Sequence, residues 1–190
     1  MKSRLLLAII FFGLLITSLA QNNSLSGIVR YYNYWNTPMD DSTTVYLMQG
    51  SSAIYQTTVD INGHYLFTGI QAGNYTLMAS STKITGSINM VDALIVMVGS
   101  SSGFPPYITG IKLKAADVNG NGFANTVDAL AISRFFVGQI SNFMPPNVPL
   151  PGNNKWISET FTIQIQANST YTQDLKMICT GDVNGSFIPY

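Results

Sequence analysis

A single cysteine, Cys179, is the whole thiol complement of this 190-residue chain, so no disulfide can form within it. His64 is the only histidine, and one His with one Cys cannot build a zinc site. Lying in a turn between two strand-like runs, His64 reads as a surface residue rather than a general base. Charge is equally scarce. Lys, Arg, Asp and Glu together make up 9% of the residues, nine basic against nine acidic, which excludes the basic footprint of a nucleic-acid binder. Beyond residue 20 no apolar stretch is long enough to cross a bilayer, so no membrane span is expected in the mature chain. Carboxylates arranged for glycoside hydrolysis are also missing, because Asp40, Asp41, Asp60, Glu159 and Asp174 fall mostly in turns. Gly99-Ser-Ser-Ser-Gly103 spells a hydrolase nucleophile motif, but without its strand–turn–helix setting, and His64 precedes it in the chain. The chain reads as non-catalytic.

What is present begins with residues 1–20. Lys2 and Arg4 precede an apolar run from Leu5 to Ile16, and Ser18-Leu19-Ala20 offers a small-residue cleavage site. This is the pattern of a secretory signal peptide; the run is short for a retained membrane anchor. Removal would leave seven basic and nine acidic residues. The expected location is therefore secreted, extracellular or at the cell surface. A small secreted module without disulfides needs some other staple.

The staple is legible at Asp117-Val-Asn-Gly-Asn-Gly-Phe-Ala-Asn-Thr-Val-Asp128. Oxygen-bearing side chains fall at positions 1, 3, 5, 9 and 12 of this twelve-residue loop: Asp117, Asn119, Asn121, Asn125 and Asp128. Gly122 stands at the sharp turn of position 6, and the carbonyl of Phe123 would serve at position 7. Such a spacing wraps oxygens around one point, as Ca2+ requires. Two carboxylates balance its charge and suit the modest affinity of an extracellular site. A helix from Thr126 to Val137 is expected to leave the loop, but no convincing helix to enter it, since Ile108–Leu113 is short and interrupted by Gly110. The exiting helix is apolar nearly all round and is expected to be buried against the rest of the chain.

The same phrase occurs a second time. Gly86, Asn89, Asp92, Ala93 and Leu94 repeat Gly122, Asn125, Asp128, Ala129 and Leu130 at a constant spacing of 36 residues. The first copy is defective on its own, because Ser81, Lys83 and Thr85 stand at positions 1, 3 and 5. Two readings are open. In one, Lys83 pairs with Asp92 and takes the place of a metal. In the other, the C-terminal fragment Asp182-Val-Asn184-Gly-Ser186 returns to supply positions 1, 3 and 5, while Asn89 and Asp92 supply 9 and 12 of a split second site.

These motifs resemble the dockerin-type duplicated calcium module over Ser81–Gly138 and at the last nine residues. The resemblance implies two loop–helix repeats packed antiparallel, and docking to a cohesin-like protein in polysaccharide-degrading assemblies. Positions 10 and 11, here Met90-Val91 and Thr126-Val127, are more apolar than the family's frequent Ser-Thr.

Upstream, five strand-like runs lie between Gly27 and Ala79, separated by turns such as Asp60-Ile-Asn-Gly63 and Gln71-Ala-Gly73. The phrase Asp60-x-Asn62-Gly63-x-Tyr65-x-Phe67, with Gly73-x-Tyr75-x-Leu77, resembles carboxypeptidase regulatory-like and collagen-adhesin B-type sandwiches. Ser24–Ser80 contains no Lys, which excludes the Lys–Asn crosslink of some B-type domains within that span. The Tyr31, Tyr32, Tyr34 and Trp35 group reads either as strand residues of the core or as a platform for sugar stacking.

The expected fold is thus mainly β with two short helices. A small antiparallel sandwich at residues 22–80 precedes a dockerin-like module at 81–190. That module holds repeats at 81–99 and 117–138, an inserted hairpin at 155–178 and a half-loop at 182–186. Two functional classes follow: a calcium-stapled structural or adhesive surface module, or a docking or carbohydrate-binding accessory whose partner is a cohesin-like protein or a surface polysaccharide.

Overall fold

The computed structural model describes residues 22–33, 36–100, 108–143 and 155–189. The expected signal peptide, the Gly/Ser/Pro link at 101–107, the Pro-rich run at 144–154, and Tyr34 and Trp35 lie outside the described residues. The described chain is mainly β, with two sheets and three short helices.

Five strands form early: β1 (Ser24–Tyr31), β2 (Thr43–Gln49), β3 (Ser52–Thr58), β4 (His64–Thr68) and β5 (Gly73–Ser81). Period-2 alternation explains β1, which buries Leu25, Gly27, Val29 and Tyr31 and leaves the alternate residues half-exposed. The turn into β4 is held by Asp60, whose Oδ1 accepts from the Asn62 and His64 amides at 2.8 Å each. His64 stays exposed beside Asp60.

The C-terminal strands are β6 (Trp156–Ser158), β7 (Phe161–Ile165), β8 (Thr170–Thr172) and β9 (Leu175–Cys179). They do not form an inserted hairpin. β7 joins the edge of β5 in a sheet ordered β3-β2-β5-β7, whereas β9 lies between β1 and β6 in a sheet ordered β4-β1-β9-β6. Nor is the sandwich wholly antiparallel, since β8 and then β9 run parallel to β1. The reason is burial. Met177, Ile178 and Cys179 are all buried, so β9 is covered on both faces, as an interior strand is and a free hairpin arm is not. Where β1 passes from β8 to β9, the Ile28 amide donates to Asp174 Oδ1 at 2.9 Å. Gly27 lies so close to Gln173 there that a Cβ would stand 2.0 Å from its carbonyl oxygen. The sandwich core between the sheets includes Leu25, Val29, Tyr31, Val45, Leu47, Leu77, Trp156, Leu175 and Met177.

The helices are α1 (Met90–Gly99), α2 (Ile111–Ala116) and α3 (Thr126–Phe136). α2 corrects the expectation that no helix enters the loop. At six residues it is below the length at which a helix persists alone, and it forms by packing on β6 and β9. α3 corrects a second expectation. It packs on α1 and buries Ala129 and Ile132, but Val127, Leu130, Phe136 and Val137 are exposed. A second core joins Ala93, Val96, Ile108, Ala116, Val118, Ala129, Ile132 and Val183. Ala93 with Ala129, and Val96 with Ile132, keep the spacing of 36 residues, so the internal repeat extends from the loops into the packing.

Candidate metal centre

In the continuous loop, Asp117 organises the turn around its carboxylate. Oδ1 accepts from the Gly120 and Asn121 amides at 2.9 and 3.1 Å, and Oδ2 accepts from Gly122 at 2.8 Å. Asn119 Oδ1 accepts from the Asn121 amide, and Asn121 Oδ1 from Phe123. Asp128, at the third position of α3, closes the loop. Its Oδ1 accepts from the Asn119 amide at 3.1 Å and its Oδ2 from Asn125 at 2.9 Å, while Asn125 caps the helix through Val127. Each carboxylate oxygen keeps lone-pair capacity beyond these bonds.

The C-terminal fragment lies against the first repeat in the same arrangement. Asn184 donates its amide to Asp92 Oδ1 at 2.9 Å, as Asn119 does to Asp128. Asp182 Oδ1 accepts from Ser186 at 3.0 Å and Oδ2 from Phe187 at 3.0 Å, matching Asp117 with Asn121 and Gly122. Asn89 caps α1 through Val91, and Asp92 Oδ2 accepts from the Asn89 amide. Gly185 and Gly120, both at position 4, share the left-handed backbone that this turn demands, with φ of 69° and 73°. Asn89, Asp92, Asp182, Asn184 and Ser186 are therefore brought together, from segments about ninety residues apart.

The positions occupied by Ser81, Lys83 and Thr85 in the sequence alignment of repeats are drawn elsewhere. Ser81 ends β5, and the Lys83 carbonyl accepts from Trp156 Nε1. Lys83 does not pair with Asp92; its ammonium pairs with Asp40. Burial opposes the Asp40 carboxylate, but hydrogen bonds from Lys83 and Ser42 outweigh it and hold the group below its ordinary range. A carboxylate depressed in the folded state stabilises above its unfolded pKa and loses that contribution as pH falls through the folded one. Replacing Asp40 by Asn is expected to cost about 1 kcal/mol at neutral pH. Urea unfolding as a function of pH should show that deficit vanishing in acid, below about pH 4.

Two further groups adjoin this split arrangement and were not assigned to it from the sequence. One is the carbonyl of Ser87, which accepts from Ser186 Oγ at 3.3 Å and from Asn89 Nδ2 at 2.8 Å. Ser87 lies 36 residues before Phe123, so the repeat spacing could have found it as the position-7 carbonyl. The other is Tyr31, whose hydroxyl donates to Asp182 Oδ2 at 2.5 Å and accepts from the Cys179 amide at 3.1 Å. Burial, with Cys179 and Asp182 nearby, pushes this hydroxyl far above the ordinary tyrosine range, so it stays a donor. The Cys179 thiol is likewise pushed by burial to about 12 and is inert as a nucleophile.

A scan of protein-family models and a search of curated proteins gave no match to this chain.

The electrostatics of the two sites are unusual. Asp92, Asp128 and Asp182 are wholly buried and Asp117 is 7% exposed. Among the described residues, none of the four is ion-paired with a Lys or Arg. Lys112 and Lys176 lie over the Tyr32 ring instead, 5.4 and 5.0 Å from its centroid. Burial and the charge of Asp182 push Asp92 up to about 6, although backbone amides oppose the shift. Burial raises Asp128 and Asp182 in the same direction. Two buried carboxylates side by side are costly unless a cation neutralises them. Among the described residues no group of three or more His, Cys, Asp or Glu occurs, so amide, hydroxyl and carbonyl oxygens would complete each shell. An all-oxygen donor set with two carboxylates fits Ca2+ and is poorly matched to softer transition metals.

The aromatic group does not form a sugar platform as a whole. Tyr31 is fully buried, Tyr32 is half-buried beneath the two lysines, and Tyr34 and Trp35 lie outside the described residues.

Proposed function

We propose that this chain is a secreted, non-catalytic calcium-binding module, structural or adhesive in role, of a bacterial cell-surface or extracellular protein. Ca2+ would be held at one site by Asp117, Asn119, Asn121, Asn125, Asp128 and the Phe123 carbonyl. At the other it would be held by Asp182, Asn184, Ser186, Asn89 and Asp92, with the Ser87 carbonyl. The observation that carries this reading is one pattern of amide-to-carboxylate bonds built twice around buried carboxylates that have no Lys or Arg ion-pair partner among the described residues. Bound calcium supplies the neutralising charge, and the chain's own residues pre-arrange the oxygens. The role this implies is rigidity without disulfides. Calorimetric titration of the purified protein with Ca2+ is expected to give two sites per chain. Absence of any binding overturns the reading.

A second reading, docking of the dockerin–cohesin kind, has its own support. Val91 and Leu94 on α1 and Val127 and Leu130 on α3 stand at matching positions of the two repeats, and all four are exposed. Capture by a cohesin domain would favour this reading over the structural one. The carbohydrate-binding form of it is weakened by the burial of Tyr31.

A further inference from the structure

A loop cut into two halves faces a problem that a continuous loop does not. In the Asp117–Asp128 loop, covalent continuity holds the early ligands beside the late ones. In the split arrangement nothing in the backbone joins Phe187 to Gly86, and chain closure across such a separation carries an entropic cost. Some contact must fix the returning half.

The structure shows where that contact is made. The carboxylates of Asp117 and Asp182 share equivalent amide donors at positions 5 and 6, but Asp182 receives two hydroxyl donors with no counterpart at Asp117 among the described residues: Ser186 Oγ at 3.5 Å from within the half-loop and, from outside it, the Tyr31 hydroxyl at 2.5 Å. The same hydroxyl accepts from the Cys179 amide at the end of β9, so it joins β1, β9 and the half-loop at one atom. The Tyr31 ring packs edge-on against Trp156 and Phe187, with centroids 5.9 and 5.5 Å away. Phe187 is the position-6 residue of the half-loop, and its ring abuts Gly86, the position-6 residue of the first repeat; a Cβ there would stand 2.9 Å from it. Asn33 Nδ2 donates to the Phe187 carbonyl at 3.1 Å from the same end of β1.

We propose that Tyr31 is a positioning residue for the split calcium site: it sets the carboxylate of Asp182 from within the sandwich core and couples occupancy of that site to the sandwich. This rests on the calcium reading above and assigns to a strand residue a role the continuous loop fills by chain connectivity. An outer-shell hydrogen bond to a ligating carboxylate carries a tenfold to hundredfold effect on metal affinity.

The test compares the wild-type protein with Y31F, which keeps the ring and removes the hydroxyl, and with W156F, which disturbs the same aromatic cluster without touching Asp182. Calorimetry is expected to show two sites in the wild type. In Y31F one of them should weaken by about tenfold or more while the other is unchanged. W156F should lower the melting temperature and leave both affinities in place. Two unaltered sites in Y31F overturn the proposal and leave the calcium reading standing; no binding by the wild type overturns the calcium reading itself. Hydrogen exchange on the wild type supplies an independent measurement should Y31F fail to fold. Calcium should slow exchange at the Cys179 amide and along β1 as well as at Ser186 and Phe187. Slowing confined to the half-loop overturns the coupling.

Discussion

Chelation of calcium from the purified protein is expected to lower its melting temperature by about 10–20 °C. Four carboxylates are buried in two pairs, and removal of the metal leaves each pair with its mutual repulsion and its desolvation cost. A site held at a hundred times its dissociation constant contributes about 2.7 kcal/mol to folding, and two such sites about 5 kcal/mol. For a chain of this size each kcal/mol moves the midpoint by roughly 2–4 °C. The measurement is a pair of thermal melts, one in Ca2+ at about a hundred times the dissociation constant found by calorimetry and one in EGTA, with a third in Mg2+. Mg2+ should restore little, because it demands a tighter octahedral shell and keeps its waters. Coincident melts in Ca2+ and EGTA would mean that the buried carboxylates are tolerated without a metal and that the stapling role is wrong.

How far this could be read from the letters alone depended on how local each feature is. The loop from Asp117 to Asp128 is written in consecutive residues, so its oxygens and its glycine turn could be ordered by counting, as could the spacing that relates Asp92 to Asp128. Strands β1–β5 were visible because each alternates or is bounded by turn residues, as at Asp60–Gly63. The destination of β7 and β9 was not. Met177–Cys179 is apolar on consecutive positions, which marks a strand end covered on both faces but does not say which neighbours cover it. Lys83 sits two residues past a strand end, and only the β2–β5 pairing brings Asp40 to it. Helix α2 has too few residues for a periodic signal and exists because β6 and β9 give it a surface. Tyr31 shows the limit most clearly. As a strand aromatic it reads as core, which it is. Its hydroxyl, however, meets a carboxylate 151 residues away, and no local pattern encodes that.

Substituting Asp182 by Ala is expected to reduce calcium stoichiometry from two to one and to lower the melting temperature in saturating Ca2+ by about 10–20 °C. Two losses combine. The site's share of linkage, about 2.7 kcal/mol, disappears. In addition the Tyr31 hydroxyl and the Ser186 and Phe187 amides lose their acceptor, and unsatisfied buried donors cost roughly 1–3 kcal/mol. In EGTA the sign of one term reverses, since removing Asp182 relieves its repulsion of Asp92. The variant should therefore differ less from the wild type without calcium than with it, a pattern that generic misfolding would not produce. Asp92→Ala should behave alike, and the double variant should still bind one ion, because groups that share one ligand lose it only once. Two ions bound by the Asp182 variant would show that the C-terminal half-loop lies beside the first repeat without contributing to it.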